Sequence, residues 1–361
     1  MRIKALAMVI AMAAIAGCGG DDPEPASETP AASVQGTDLG AIKDYLLQHT
    51  DDLEAQTATL AQDADAYHAA AEAVDFDYAR LLDEQRDDVA GLVEKMQATF
   101  REANPAYEQT EGVVAGVPEL ADFDVIIDAG GDKSDPENAV PFSVKTPAGR
   151  TFEQPGNFFF LLETALWGTE ERFAARGVEA DLDGDGRVAF GEAVPDADFY
   201  VTAAREFEKT TQELDAAARE WTPTPQDAFT ALVVMTPTMS EYFDAWKNSR
   251  FVAGDKAQEK AFVAASRLQD IADILGGLQT VYEGVESRIA EVDAAQAEQT
   301  KRDLEELTAF AERLRDEEAR GKKFTADQAE TLGAEAQTRA EAIAGQITQA
   351  AAKLNIEIEE G

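Results

Sequence analysis

The sequence predicts an all-α protein built from antiparallel helical bundles, and three observations carry that reading. Leu46, Leu53, Leu60 and Tyr67 recur at seven-residue steps, with Thr50, Thr57 and Ala64 between them. A longer stripe, Leu268, Ile271, Leu275, Leu278, Tyr282, Val285, Ile289 and Val292, advances by threes and fours. Both spacings line one face of a helix of period 3.6. Strand character is confined to a short stretch around Phe142 to Phe152, where a small hairpin is expected.

The chain opens with Arg2 and Lys4, runs apolar from Ala5 to Ala16, and reaches Ile15-Ala16-Gly17-Cys18. This has the form of a bacterial lipoprotein signal peptide over residues 1–17 with a lipobox, making Cys18 the acylated first residue of the mature protein. The apolar run is shorter than the roughly 20 residues a membrane span needs. Cys18 is also the only cysteine, so the mature chain keeps no thiol for disulfides, catalysis or metal. Gly19 after Cys18 resembles sorting signals for the outer membrane, so a periplasmic or surface-exposed outer-membrane lipoprotein is expected. Residues 18–38 are rich in Pro, Ser, Ala and acid with few large apolar groups, which predicts a disordered tether.

The body is expected to span 39–361, with a first bundle over about 39–220 and a second over about 221–361. After the first helix, Tyr78, Leu82, Val89, Leu92, Met96 and Phe100 form a second stripe, expected to end at Asn104-Pro105. Periodicity fails from Tyr107 to Arg150, where Gly, Pro and Asp predict a loop-rich crossing. Helical pattern returns at Asn157, then over Phe199 to Glu220 and over Gln226 to Asn248. The long stripe follows, with Gly276-Gly277 permitting close backbone approach. Leu304, Leu307, Phe310 and Leu314 mark a further helix, and Leu332 to Leu354 a last one.

Between these helices, Asp181 to Glu192 reads DLDGDGRVAFGE and fills the fixed positions of an EF-hand calcium loop. Asp181, Asp183 and Asp185 supply carboxylates at positions one, three and five, and Gly186 makes the sharp turn at six. Arg187 offers its carbonyl, Val188 is the apolar residue expected to hold the loop to the body, and Glu192 closes with a bidentate carboxylate. No second such loop is present to pair with it, and Pro195 stands where an exiting helix would continue. The expectation is a structural calcium clip rather than a sensor.

With 71 acidic against 31 basic residues and a net charge of −40, the surface repels nucleic acid and anionic lipid heads and attracts cations. The chain has only two histidines, His49 and His68, both among polar neighbours on the first helix and expected at the solvated surface. No GxSxG, HExxH or phosphate-loop pattern occurs. Trp167 and Trp246 read as core or interface aromatics, and Lys247 with Arg250 as a basic spot paired with neighbouring carboxylates.

Three motifs carry a family resemblance. Tyr107-Glu108-Gln109-Thr110-Glu111, then Phe123 to Asp128 (FDVIID), then Asn157 to Gly168 (NFFFLLETALWG) resemble successive motifs of the imelysin family and its periplasmic iron-uptake relatives. Ser266 to Asp270 and Val281 to Gly284 are similar to that family's second half, so the resemblance extends from about Ile42 to Ile358. It implies two helical bundles side by side and a role in binding iron or another extracellular ligand. The family's hallmark is a His-x-x-Glu pair one helical turn apart; here Glu163 is present and Phe160 stands at the histidine's place. A zinc hydrolase needs imidazole ligands and an open coordination position, which weakens the metallopeptidase reading.

What remains of the family site is carboxylate. Glu111, Asp124, Asp128 and Glu163 match acidic positions of the family motifs and are expected to converge between the bundles as a second metal site, suited to iron, manganese or calcium rather than zinc. The leading expectation is a lipid-anchored, non-enzymatic calcium-binding protein that assists metal uptake, held at the membrane and working with an iron-uptake or surface receptor complex. A binding module for an acidic polysaccharide or other extracellular ligand is the alternative, and a metallopeptidase the weaker one.

Overall fold

The computed structural model describes residues 37–359. The signal peptide, Cys18 and nearly all of the tether expected from the sequence lie outside the described residues. The described residues form one compact unit.

Helix α1 (Leu39–Glu72) starts at Asp38, whose carboxylate accepts the N–H of Ala41 at 3.0 Å as an N-cap. Its seven-residue stripe is fully buried. A short turn, in which Asp75 and Phe76 take left-handed φ values, leads to α2 (Tyr78–Val114). The expected end at Asn104-Pro105 is not observed. The helix passes through Pro105 with helical dihedrals, and its one non-helical residue is Gln85 (φ −140, ψ 29). A proline inside a helix costs about 3 kcal/mol. Here Ala103, Ala106 and Tyr107 bury on both sides of it, and that packing outweighs the lost hydrogen bond. The motif from Tyr107 to Glu111 is therefore helical and buried rather than part of a loop.

A one-turn helix α3 (Ala121–Asp124) widens into a π-turn over Val125–Ala129. The predicted hairpin follows as β1 (Ser143–Lys145) and β2 (Thr151–Glu153), antiparallel with Val144 opposite Phe152. Helix α4 (Phe158–Trp167) is capped by Asn157 at its start and by left-handed Gly168 at its end. Helix α5 (Ala197–Glu220) lies along α1. Their contact includes two buried hydrogen bonds: the Thr50 hydroxyl donates to the Asp215 carboxylate at 2.8 Å, and the Thr57 and Thr211 hydroxyls pair at 2.7 Å.

The helix expected over Gln226 to Asn248 is split. Helix α6 (Pro225–Met235) ends in a 3₁₀ turn at Thr236–Thr238, because Pro237 has no N–H to donate, and α7 (Met239–Asn248) restarts beyond it. A single turn, α8 (Arg250–Ala253), precedes an irregular strap that reaches Ser266. The two helices expected next are joined as α9 (Arg267–Ala319), broken at Asp293 (φ −160, ψ 88). Asp293 accepts the N–H of Gln296 at 3.0 Å and so caps the second half as a separate helix would be capped. The buried stripe stops at Ile289, since Val292 is exposed. Of the two glycines, Gly277 lies against the Gln109 carbonyl where a Cβ would overlap it, whereas Gly276 faces open space. Helix α10 (Ala326–Leu354) opens on a capping box, Thr325 with Gln328.

The result is an all-α protein. Helices α1, α2, α4 and α5 pack together, α6, α7, α9 and α10 pack together, and α2 lies along α9. That seam puts the C-terminal half of α2 beside the start of α9, where the charged residues described next are buried.

Candidate cation site

On α2, Asn104, Glu108 and Glu111 follow at steps of four and three and so share one face. That face meets the first turn of α9, which carries Arg267 and Asp270, and the π-turn, which carries Asp128. Asn157 fixes the π-turn. Its side-chain oxygen caps α4 at Phe160 N–H (2.8 Å), and its amide nitrogen donates to the carbonyls of Asp128 and Gly130.

Arg267 is the hub. Its Nη1 lies 3.1 Å from Asp270 and 3.3 Å from Glu108, its Nη2 lies 3.4 Å from Asp128, and only 6% of the side chain is exposed. The guanidinium carbon also lies 4.6 Å from the Tyr242 ring centre and 4.5 Å from that of Phe262. Burial works against its charge, but Asp128, Glu108, Asp270 and Glu111 together hold it charged far more firmly than an ordinary arginine. Around it, Glu108, Glu111 and Asp128 bring one carboxylate oxygen each within 4.8 Å of the others. Glu111 accepts the Tyr242 hydroxyl at 2.6 Å through Oε1, while its buried Oε2 has no partner. Asp270 Oδ1 is likewise buried and unpartnered.

Glu108, Asp128 and Asp270 therefore share a single guanidinium, and Glu111 adds a fourth carboxylate beside them. Burial raises the proton affinity of most of them: Glu108 is pushed well above the usual carboxylate range, Asp128 to about 6 and Asp270 to about 7. Such a group of carboxylates is satisfied either by protons or by a further cation. Oxygen-only donors of this kind fit a hard ion.

The structure treats the four residues expected at this site differently. Glu111 and Asp128 are brought together as anticipated. Asp124 lies close by but is bound to the Tyr107 hydroxyl at 2.6 Å, and it belongs to the surroundings of the cluster rather than to the three converging oxygens. Glu163 is buried on the wall of the same cleft, yet both its oxygens are occupied. Phe262 N–H donates to Oε2 at 2.6 Å, and Val263 and Ala264 N–H donate to Oε1 at 2.8 and 2.7 Å. Glu163 therefore anchors the strap, which turns sharply at Phe262 (φ +55) to present those three donors. Burial pushes its carboxyl to about 7 even so.

Glu108, Arg267 and Asp270 were not singled out from the sequence. A signal existed: Glu108 lies in the quoted motif on the same helical face as Glu111, and Arg267 with Asp270 are charges one turn apart beside an apolar stripe.

Neither histidine reaches the cleft, and neither is fully solvated as expected. His68 Nε2 lies 3.0 Å from Asp198, and His49 packs edge-on against Tyr45 with partial burial lowering its proton affinity. Trp167 and Trp246 are buried, and Lys247 and Arg250 are paired with Asp244, Glu330 and Asp255, as expected.

In the Asp181–Glu192 loop, Asp181, Asp183 and Asp185 place carboxylate oxygens within 4.8 Å of one another. Gly186 N–H donates to Asp181 Oδ2 (3.2 Å), Asp185 N–H to Asp183 (2.9 Å) and Arg187 N–H to Asp185 (2.8 Å). Glu192 folds back onto the N–H groups of Leu182, Asp183 and Ala189. Val188 does not hold the loop to the body. It is exposed, and Leu182, 8% exposed, makes that contact from the other end of the loop. Arg86 also reaches in, with Nη1 3.2 Å from Asp181 Oδ2. Helix α4 ends at Trp167 and α5 begins at Ala197, so the loop is not held between two helices as in a helix–loop–helix hand.

The imelysin family model matches residues 41–349, which takes in every element from α1 to most of α10. The chain belongs to the imelysin family. None of the curated proteins matches it. In this imelysin-family protein the departure at Phe160 has a clear structural setting. The phenyl ring is half-buried in the cleft wall, packs edge-on towards Phe173 with centroids 6.2 Å apart, and has the Arg172 guanidinium 5.8 Å from its centre. One turn on, Glu163 is already engaged by backbone.

Proposed function

We propose that this imelysin-family protein is a lipid-anchored, non-enzymatic accessory of metal uptake that takes a hard cation, iron in the leading case, at Glu108, Glu111 and Asp128. The observation that carries the reading is the buried Glu111 Oε2, left without a partner beside two further carboxylates that Arg267 alone cannot neutralise. A divalent or trivalent ion supplies the missing charge. Lipid attachment at Cys18 rests on the lipobox, and the outer membrane on the residue after it.

A non-enzymatic role is supported by the cleft's chemistry. Phe160 can neither coordinate a metal nor carry a proton, and Glu163 has no free oxygen. The Asp181–Glu192 loop is proposed as a calcium site that fixes the approach to α5. Its three converging carboxylates and left-handed Gly184 and Gly186 support this. An acidic polysaccharide is a poorer cargo, because the cleft lining is itself rich in carboxylate.

The test is metal analysis by mass spectrometry after native purification, followed by calorimetry with manganese and ferrous ion on the wild type and Glu111→Gln. The reading expects bound metal and a loss of affinity in the variant. Chelator-sensitive cleavage of protein substrates by the natural chain would instead favour a peptidase.

A further inference from the structure

The cleft beside the carboxylates is far larger than an ion requires. It encloses about 420 Å³, within the range of roughly 300–1,000 Å³ typical of small-molecule sites. Phe100, Phe159, Phe160 and Phe262 line it, so an apolar ligand body finds aromatic surface on several sides. The charges that face it are mostly acidic. Asp270, only 2% exposed, is among the lining residues and its buried Oδ1 has no partner, and Glu108, Asp128 and Glu259 line the cavity too.

The basic groups in the lining are already committed. Arg172 pairs with Asp132 at 2.9 Å and Glu170 at 3.4 Å, and Lys260 with Glu170 at 2.9 Å. Among the described residues of the lining, no free positive charge is left to receive an anion. Phenyl rings and carboxylates together suit a cation with a hydrocarbon body, since ring faces attract positive charge and buried carboxylates need a charged donor.

The geometry points to a binding site for a small organic ammonium compound, its charged head at Asp270 and its hydrocarbon body against Phe160 and Phe262. This goes beyond the metal reading, although Glu108 and Asp128 of that reading also line the cavity. Asp270 is not among the three converging oxygens, and Glu111 does not line the cavity. Phe160, which costs the family's imidazole, becomes part of the wall that receives the ligand.

The probe is 2-phenylethylammonium, titrated calorimetrically into the full mature chain at pH 7.5, with neutral 2-phenylethanol as the uncharged counterpart. The ammonium is expected to bind one to one and at least about tenfold more tightly than the alcohol. Asp270→Asn should weaken it by about tenfold, the loss of one charge-assisted contact, and Phe160→Ala should weaken it as well. Manganese titrated into the same samples separates the two readings: ammonium binding lost with manganese retained fails this proposal alone, and manganese binding absent with ammonium retained fails the metal reading alone. Where Asp270→Asn does not give native circular dichroism, Phe160→Ala and the alcohol decide. Absence of saturable ammonium binding by folded protein, equal binding of the alcohol, or unchanged affinity in both cavity variants overturns the proposal.

Discussion

Glu163 accepts the backbone N–H of Phe262 at 2.6 Å, and with the neighbouring N–H groups of Val263 and Ala264 it ties the strap to α4. One carboxylate thus satisfies three donors that the irregular backbone between α8 and α9 presents to the interior. Phe262 sits at a left-handed φ to allow it, a conformation that costs about 1–3 kcal/mol unless its surroundings hold it.

Glu163→Ala is therefore expected to destabilise the protein by on the order of 3 kcal/mol or more, since each buried donor left unpaired costs about 1–3 kcal/mol. Limited proteolysis should cut the variant between residues 254 and 266, with Glu163→Gln intermediate. A thermal midpoint and digestion pattern equal to wild type in Glu163→Ala would show that the anchor is dispensable.

Stability should fall as pH rises through the neutral range when metal is withheld. Asp128, Asp270 and Glu163 have folded-state values of about 6, 7 and 7, above those of the unfolded chain. Between roughly pH 4 and pH 7 the folded protein thus binds more protons than the unfolded one, so deprotonation is costlier in the fold and unfolding becomes easier as pH increases. Urea titrations in chelator at pH 5 and pH 7.5 measure this. Added manganese should lessen the trend, because the ion replaces the proton on Asp128, while Asp270 and Glu163 lie outside its three ligands.

Arg267 is expected to be the most sensitive charged residue. Arg267→Gln leaves Glu108, Asp128 and Asp270 buried without their shared partner, a loss of about 3–5 kcal/mol when one side of a buried ion pair is removed. Melting curves should show partial recovery at low pH or with divalent cation. Recovery by neither would mean that the guanidinium's packing on Tyr242 and Phe262 matters more than its charge.

Calcium should raise the melting temperature with the weak affinity of extracellular modules, roughly 10⁻⁴ to 10⁻³ M, as the loop stands without a paired partner. In Glu192→Gln the rise should shrink. Calorimetry showing the same calcium affinity in that variant would move the ion elsewhere.

The sequence by itself determined the all-α class, the stripes of α1 and α9, the hairpin and the nearness of Asp181, Asp183 and Asp185 to one another. Each depends on local spacing, which the helical period or turn chemistry translates directly into structure. Membership of the family was legible for the same reason, because its motifs are contiguous. Helix ends were less so. Whether Pro105 stops α2 depends on how much its flanks bury, and whether α9 ends at Asp293 depends on a side chain that recaps it, so only packing between distant segments settles either.

The site divided along the same line. Glu111 and Asp128 could be named from their motifs, but the number of groups competing for one buried charge could not, because Arg267 and Asp270 arrive from more than 130 residues away. Glu163 shows the limit most plainly. Its place one turn after Phe160 is local and readable, whereas the backbone donors that occupy both its oxygens come from residues 262–264, and only the folded chain brings them within hydrogen-bonding distance.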